Sequence, residues 1–305
     1  MRRYLLLAAV AVTAVVSQNN TAAGLAIALP QPGQMAINSP VVVTGKVTKV
    51  GDDTVEASSP FAGATDKQKY KIATVKVADV LAGGDKLKEI KVGYIAPVKP
   101  QPGQPPVGRP VRPPIGRPGF AMPELKEGQE MLFFLAKHPT ADFYVIPNMS
   151  NPVDITKDEG KKQLDEVKKV TAVLADPAKS LKSDKADVRG EAAAIMVMKY
   201  RSYPMFGGEV KEEAIGAEES KTILKALADA EWKNVRFGGP PNAMQAFYQL
   251  GLNEKDGWIQ PQIVNVPGQP APDYTVIMKD AFTKWLAGPG KDYKIKKVVP
   301  KATEK

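Results

Sequence analysis

The pattern of apolar residues changes once along the chain, at Pro147, and this change divides the protein into two kinds of structure. Between Val41 and Ile146 the apolar residues fall in short alternating runs rich in β-branched side chains, which is typical of strands. After Pro147 they recur every three or four positions, as on amphipathic helices. The sequence therefore predicts an α+β protein in which a β part is followed by an all-α part.

The β part is predicted to span residues 36–147 and to contain five or six strands. Residues 41–50 form the first strand, residues 51–53 (Gly51-Asp52-Asp53) are expected to turn it, and residues 54–57 to return as a short partner. Because closure removes exposed strand edges, we expect a small closed barrel. The remaining strands are expected at residues 70–81, 89–95, 131–136 and 142–146.

Three of these strands have distinctive patterns. In residues 70–81 the apolar phase changes between Ile72 and Val75, which predicts a one-residue bulge or a strong bend. Residues 89–95 alternate cleanly and should place their apolar side chains on one face. Residues 131–136 are apolar throughout, so we expect this strand to be buried on both faces.

A proline-rich insertion, residues 97–123, interrupts the β part with ten of the chain's 27 prolines. Prolines at this density continue neither a ladder nor a helix, so we expect an extended, polyproline-like or disordered loop. It contains a short repeat, since residues 106–110 and 114–118 share the pattern Pro-x-Gly-Arg-Pro. Such spacing with arginines occurs in ligands of proline-recognising domains, and a solvated insertion is the simpler interpretation.

Five amphipathic helices are predicted in residues 160–288. The first presents Leu164, Val167 and Leu174 on one face and ends at Asp176-Pro177, and the second is expected to be capped by Asp187. The others begin near Ser220, after Pro240-Pro241, and near Asp273; the last two end at Gly251 and at Gly288-Pro289.

Residues 1–28 are predicted to be a secretory signal peptide. Met1-Arg2-Arg3 is followed by an apolar core over residues 5–16 and then by small residues, and that core is shorter than the roughly 20 residues of a membrane span. Cleavage is expected between residues 17 and 28, after Ser17, Gly24 or Ala28. The protein is therefore expected to be exported, either periplasmic or secreted, with an uncleaved anchor as the alternative.

The net charge of +9 is concentrated in two segments. The proline-rich insertion has no acidic residue, and the stretch from Lys291 to Lys305 has six lysines, so residues 289–305 are predicted to be a solvated basic tail. Weak contact of this tail with an anionic surface is the alternative. The chain shows neither a basic helix face nor an aromatic-studded sheet, and no nucleic-acid partner is expected. With no cysteine in the sequence, stability must come from packed cores.

The β part resembles the OB-type barrel of the netrin and metalloproteinase-inhibitor class. The similarity lies in residues 41–47 (VVVTGKV), 73–81 (ATVKVADVL) and 125–135 (LKEGQEMLFFL). Inhibitors of that class place an N-terminal cysteine on the zinc of the metalloproteinase, and this chain has no cysteine. The resemblance therefore implies the barrel without that inhibitory mechanism.

The helical part, especially residues 187–195 (DVRGEAAAI), is similar to the second helix of a HEAT-type repeat. That resemblance implies helix pairs stacked into a short solenoid, with a helical bundle as the alternative. The order of export signal, small barrel and helical part resembles that of uncharacterised secreted proteins, which implies no activity.

Few residues are candidates for catalysis. His138 is the one histidine; it is either a turn residue, which we favour, or a general base with Asp142. No Gly-x-Ser-x-Gly nucleophile motif accompanies it. Acidic residues are adjacent at Asp52-Asp53, Glu212-Glu213 and Glu218-Glu219, but glycosidases need carboxylates that face one another across a cleft. We interpret Asp52-Asp53 as a hairpin turn and Glu218-Glu219 as a helix start.

Binding sites are equally sparse. Asp154, Asp158 and Glu159 have the ligand type of a hard-metal site without the spacing of an EF-hand. Gly207-Gly208 and Gly238-Gly239 are interpreted as loop glycines, and Asn148 begins a glycosylation sequon. The aromatic residues either line a sugar or peptide groove or pack in the core, which we favour; they are Trp232, Phe237, Phe247, Tyr248 and Trp258.

The sequence thus favours an exported, non-enzymatic binding or scaffolding protein with a protein partner in the envelope or extracellular space. No catalytic, cofactor-binding or metal-binding residue is assigned, and no cofactor is expected. Two alternatives remain: an extracytoplasmic inhibitor or sensor that acts through the barrel, and a hydrolase with a carboxylate site between the two parts.

Overall fold

The computed structural model describes most of the chain downstream of the predicted signal. The described residues are 30–84, 86–95, 124–147, 150–232, 240–263, 268 and 270–301. Four predictions lie outside them: the signal peptide at residues 1–28, the conformation of residues 97–123, the sequon at Asn148 and the loop at Gly238-Gly239. The α+β prediction is confirmed, because the described part contains a six-stranded sheet and seven helices.

The six-stranded sheet contains the strands of the predicted β part and one short addition. β1 pairs with both β2 and β4, and the sheet order is β1-β2-β3-β5-β4-β6. Every pairing is antiparallel except β3 with β5. The strands are β1 (Val41–Ser58), β2 (Lys67–Ala82), β3 (Glu89–Tyr94), β4 (Glu130–Lys137), β5 (Tyr144–Val145) and β6 (Val153–Asp154).

The predicted hairpin turn at Asp52-Asp53 is wrong. β1 continues through these residues to Ser58, and its second half pairs with β2, so that Thr54 lies opposite Lys71 and Ser58 opposite Lys67. A register shift between Val50 and Thr54 accommodates the extra residues. The two aspartates are exposed, and a bulge on a solvent-facing strand leaves their carboxylates hydrated.

The phase change in β2 has a different cause from the one predicted. The nearby bulge is in β1, where Val47 pairs with Val75 and Lys49 with Thr74. β2 itself buries two faces in succession: Tyr70 packs in one apolar cluster, and Ala73 and Val75 pack in another. The apolar positions change phase because the first part of β2 is covered on one face of the strand and the next part on the opposite face.

The side chains of β4 point alternately into two different apolar cores. Phe133 and Leu135 lie in the core formed by the strands, whereas Leu132 and Phe134 lie in a second core with helical side chains. All four are fully buried, so the predicted burial of this strand on both faces is confirmed. The β and helical parts consequently share a core.

The seven helices include all five of the predicted helices, at nearly the predicted ends. α4 contacts α1, α2, α3, α5 and α6 and is therefore central. Asp187 lies in its first turn, whereas Lys185 is the N-cap residue, so the predicted cap is wrong. The helices are α1 (Pro32–Asn38), α2 (Asp158–Ala175), α3 (Pro177–Leu181), α4 (Ala186–Tyr200), α5 (Ala217–Asp229), α6 (Ala243–Leu250) and α7 (Tyr274–Ala287).

α1 was not predicted, and it is held at both ends by the helical part. At its beginning, a Cβ added to Gly33 would lie 2.5 Å from Oε1 of Glu166 in α2. At its end, Lys199 Nζ donates to the carbonyl of Ile37 at 2.8 Å, and the hydroxyl of Ser202 donates to Asn38 Oδ1 at 2.6 Å. Between these ends its apolar side chains fill the core shared by sheet and helices.

The predicted all-α character and the solvated tail need correction. Strand β7 (Val210–Ala214) pairs with β8 (Lys296–Pro300), and Ile295, just before β8, is fully buried. Arg201 donates to Glu212, to the carbonyl of Gln249 and to that of Lys296. Residues 289–301 are therefore part of the fold, because β8 pairs with β7 and the partly buried Arg201 guanidinium joins β8 to Glu212 and Gln249. Within the described residues, no helix has the length and apolar character of a membrane span.

Candidate functional site

A groove of about 610 Å³ lies between α2, α4 and residues 240–243. Helical spacing places its charged side chains, because residues three or four apart share a helix face. α2 contributes Lys162, Asp165, Glu166 and Lys169, and α4 contributes Asp187 and Glu191. Glu231, beyond the end of α5, completes the charged rim.

Small residues form the floor of this groove. Gly190 lies so close to α5 that an added Cβ would be 2.6 Å from Cβ of Ala230. Ala243, at the start of α6, and the two prolines before it line the same floor. These floor residues have side chains no larger than a proline ring, so an extended chain can approach the helix surface.

The rim is acidic although the whole chain is basic. The described lining residues carry five carboxylates and two ammonium groups, whereas the chain has a net charge of +9. Negative charge concentrated in a concave surface raises the local concentration of positively charged ligands. The groove is therefore electrostatically suited to cations.

Glu166 is the most perturbed carboxyl group of the groove. Burial raises the pKa of Glu166, the nearby Glu191 carboxylate raises it further, and the Gly33 backbone amide and Lys169 oppose the rise. Its Oε1 is inaccessible to solvent and lies beside Gly33. Because this atom is turned toward the beginning of α1, Glu166 faces both the groove and the interior.

His138 lies away from this groove and has structural contacts. It is 2% exposed, and its ring nitrogens contact main-chain atoms of Ser58, Thr140 and Ala141. Asp142 is exposed and is not among these contacts. Both ring nitrogens thus contact the main chain, which favours the interpretation of His138 as a structural residue of the turn.

The adjacent acidic residues form separate local contacts. Glu212 pairs with Arg201 at 2.7 Å and Glu213 with Lys211 at 2.8 Å. Glu218 and Glu219 lie in the first turn of α5, as predicted. Glu219 also accepts a hydrogen bond from Tyr200. None of these pairs faces another carboxylate across a cleft in the manner of a glycosidase.

Two of the three residues considered for a metal have other partners. Asp154 accepts hydrogen bonds from the backbone and hydroxyl of Thr156, which together lower the pKa of Asp154. Asp158 pairs with Lys161 at 3.2 Å, and Glu159 is exposed on α2. Across the part of the chain that the structure describes, no three His, Cys, Asp or Glu side chains are grouped to hold a metal ion.

Most of the aromatic candidates pack in the core, as we favoured. Trp232, Phe247 and Trp258 are buried together, with ring centroids of Phe247 5.2 Å from Trp232 and 5.1 Å from Trp258. Tyr248 is instead 52% exposed and its hydroxyl lies 2.7 Å from that of Tyr274. Phe237 lies outside the described residues. Gly207 and Gly208 have positive φ, consistent with their predicted place in a loop.

None of the groove residues was predicted as a site. One usable signal is the spacing of charged residues at positions 162, 165, 166 and 169 on the polar side of α2. The second half of the site, on α4 and residues 240–243, depends on tertiary packing that the sequence pattern does not encode.

No protein-family model matches the chain, and no curated protein matches its sequence.

Proposed function

We propose that the protein is an exported, non-enzymatic binding protein that holds a positively charged segment of a protein partner in the α2–α4 groove. The acidic rim around a floor of small residues is the observation that supports this function. A peptide main chain fits against small residues, and carboxylates on both sides pair with its cationic side chains.

The composition of the groove favours binding over catalysis. Its described lining residues include no serine, threonine, cysteine or histidine, so the groove lacks the usual nucleophile and base pair of a hydrolase. The perturbed carboxyl group, Glu166, is turned toward Gly33 of α1. Its burial is explained by its contact with that helix.

A hydrolase with a carboxylate site remains the second candidate. It is supported by the raised pKa of Glu166 and by the proximity of Glu191, since a carboxylic acid next to a carboxylate is the arrangement of acid–base catalysis. Glu191→Gln is the discriminating variant. Hydrolysis of a glycoside or peptide by the wild type that Glu191→Gln abolishes would replace the binding function with this one.

Export is proposed from the sequence of residues 1–28. All three expected cleavage positions precede Pro32, where α1 begins, so processing removes no described helix or strand. N-terminal sequencing of the mature protein should find a chain beginning at residue 18, 25 or 29. A mature chain that still begins at Met1 would instead indicate a retained anchor.

We also propose that the β part is an OB-like barrel. In support, β1 pairs with β2, β2 with β3, β3 with β5, β5 with β4, and β4 with β1 again. These five strands therefore form a closed ring of neighbours. The helices surround α4, which favours a bundle over a HEAT-like solenoid. An inhibitor or sensor function through the barrel loops would leave binding unaffected by substitutions in the α2–α4 groove.

The function is tested with a synthetic peptide that carries three arginines spaced by glycine and serine. Calorimetry should detect binding, and the Asp187→Asn/Glu191→Gln double variant should bind about tenfold more weakly, because each partly exposed ion pair contributes up to about 1 kcal/mol. The matched control, Glu159→Gln/Glu218→Gln, removes two exposed carboxylates outside the groove. Equal affinity of the two double variants would disprove the site.

A further inference from the structure

The proline-rich insertion has the composition that the groove requires. Residues 97–123 contain Lys99, Arg109, Arg112 and Arg117 and no acidic residue. In a polyproline helix, residues three apart share a face and are separated by about 9 Å along the axis. Arg109 and Arg112 therefore project from the same side whenever this conformation is adopted.

Both ends of the insertion are attached near one lysine. Lys71 lies opposite Tyr94, close to where the described chain stops at Ile95, and its Nζ is 3.2 Å from Oε1 of Glu124, where the chain resumes. The 28 residues between Ile95 and Glu124 are thus a loop with neighbouring ends. Half of this length in an extended polyproline form reaches about 40 Å, which exceeds the radius of a domain of this size.

The charges of the insertion and the groove are complementary. The insertion has four cations and no anion, whereas the described groove residues have five carboxylates against two lysines. The floor of the groove includes Gly190, Ala230 and Ala243, none of which has a side chain larger than a methyl group, so a chain can approach the helix backbone there. Proline restricts φ, so a proline-rich ligand loses less conformational entropy on docking than a proline-free one of the same length.

We propose that residues 97–123 of the same molecule occupy the α2–α4 groove. This inference rests on the proposed function and specifies the ligand chemistry of that site, namely a proline-rich segment with arginines. An external partner then binds by displacing the tethered segment. A tethered ligand competes through an effective concentration that depends on the length of chain joining it to the site.

The test compares the intact chain with a variant in which residues 97–123 are replaced by a short glycine-serine linker. A synthetic peptide of residues 97–123 should bind the linker variant at least tenfold more tightly than it binds the intact chain, because the tethered copy competes in the latter. A peptide with Arg109, Arg112 and Arg117 all changed to Gln should lose this binding. Adding Asp187→Asn/Glu191→Gln to the linker variant should weaken it about tenfold, and adding Glu159→Gln/Glu218→Gln should not.

The alternatives give different results. If the peptide binds the linker variant no better than the intact chain, while the unrelated three-arginine peptide binds the groove, the insertion is not the occupant and the proposed function stands. If neither peptide binds, both proposals fail. If light scattering shows that the intact chain is a dimer and the linker variant a monomer, the segment docks on a second copy, which overturns docking within one molecule.

A second variant covers the case in which the linker variant does not fold. Arg109→Gln/Arg112→Gln/Arg117→Gln in the intact chain keeps the loop length and removes its charges. This variant should bind the added wild-type peptide at least tenfold more tightly than the unaltered protein does. Unchanged affinity would reject the inference.

Discussion

Nε2 of the His138 ring lies 3.0 Å from the carbonyl oxygen of Ser58, 80 residues earlier in the chain. Nδ1 accepts the backbone N–H groups of Thr140 at 3.2 Å and Ala141 at 3.1 Å. Since Nδ1 accepts two amide hydrogens, we assign the ring hydrogen to Nε2, which donates it to Ser58. One buried ring thereby joins the end of β1 to the connection between β4 and β5.

His138→Ala should lower the free energy of unfolding by about 1–3 kcal/mol, because it leaves a partly buried carbonyl and two partly buried amide groups without partners. Urea denaturation at neutral pH measures the change. Lys137→Ala, at the exposed end of β4, is the matched control and should change stability by less than about 0.5 kcal/mol. A loss below about 1 kcal/mol for His138→Ala would show that water replaces the ring's contacts.

The structure and the sequence agree best where local chemistry defines an element. The predicted start and end of α6 are confirmed, because the Asn242 side chain accepts the Gln245 N–H and Gly251 adopts the left-handed conformation that ends the helix. Both signals lie within the element itself. The predicted alternation in β3 is confirmed for the same reason, with Ile90, Val92 and Tyr94 all buried.

Prediction from sequence failed where a distant contact decides the structure. The seven residues of α1 are too few to show a helical period, and this helix depends on Glu166 and Lys199. β8 is rich in lysine and resembles a solvated tail, but Arg201 and β7 bind it to the fold. The acidic groove was missed because α2 and α4 meet there through packing.

Glu166→Gln should stabilise the protein at neutral pH and lose that advantage as the pH falls. Because the folded-state pKa of Glu166 is raised, the folded protein takes up a proton more readily than the unfolded chain. The wild type therefore gains stability relative to the variant as the pH falls from 7 toward the ordinary glutamate pKa of about 4.3. Urea denaturation of both proteins across this range measures the difference, and a constant difference would contradict the raised pKa.

Gly190→Ala should destabilise the protein although alanine is the better helix former. The new Cβ would lie 2.6 Å from Cβ of Ala230, and such overpacking costs about 1–3 kcal/mol, against a propensity gain of about 1 kcal/mol. Adding Ala230→Gly removes the opposing methyl group and should restore most of the loss. Thermal denaturation of the single and double variants measures the compensation, and a double variant no more stable than Gly190→Ala would refute the proposed contact.

Arg201→Ala should release the C-terminal strand. The Arg201 side chain is 16% exposed and pairs with Glu212, so its removal should cost about 2–3 kcal/mol as hydrogen bonds of a charged group are lost. Trypsin should then cut faster at Lys294, Lys296 and Lys297, as followed by mass spectrometry. Glu213→Ala, which removes an exposed ion pair with Lys211, should leave the cleavage rate unchanged.

Because α1 is held at both ends by residues of the helical part, its place in the fold affects how the chain folds. The bond from Lys199 to Ile37 spans 162 residues and that from Ser202 to Asn38 spans 164, so α1, the first helix of the described residues, is seated only after α4 exists. At about 5–20 residues per second, synthesis separates the two events by roughly 10–30 s. During that interval the apolar side chains of α1 and the outward face of β4 have yet to meet their helical partners. A chain in which α4 has not yet formed therefore exposes the apolar side chains of α1 and of Leu132 and Phe134 in β4.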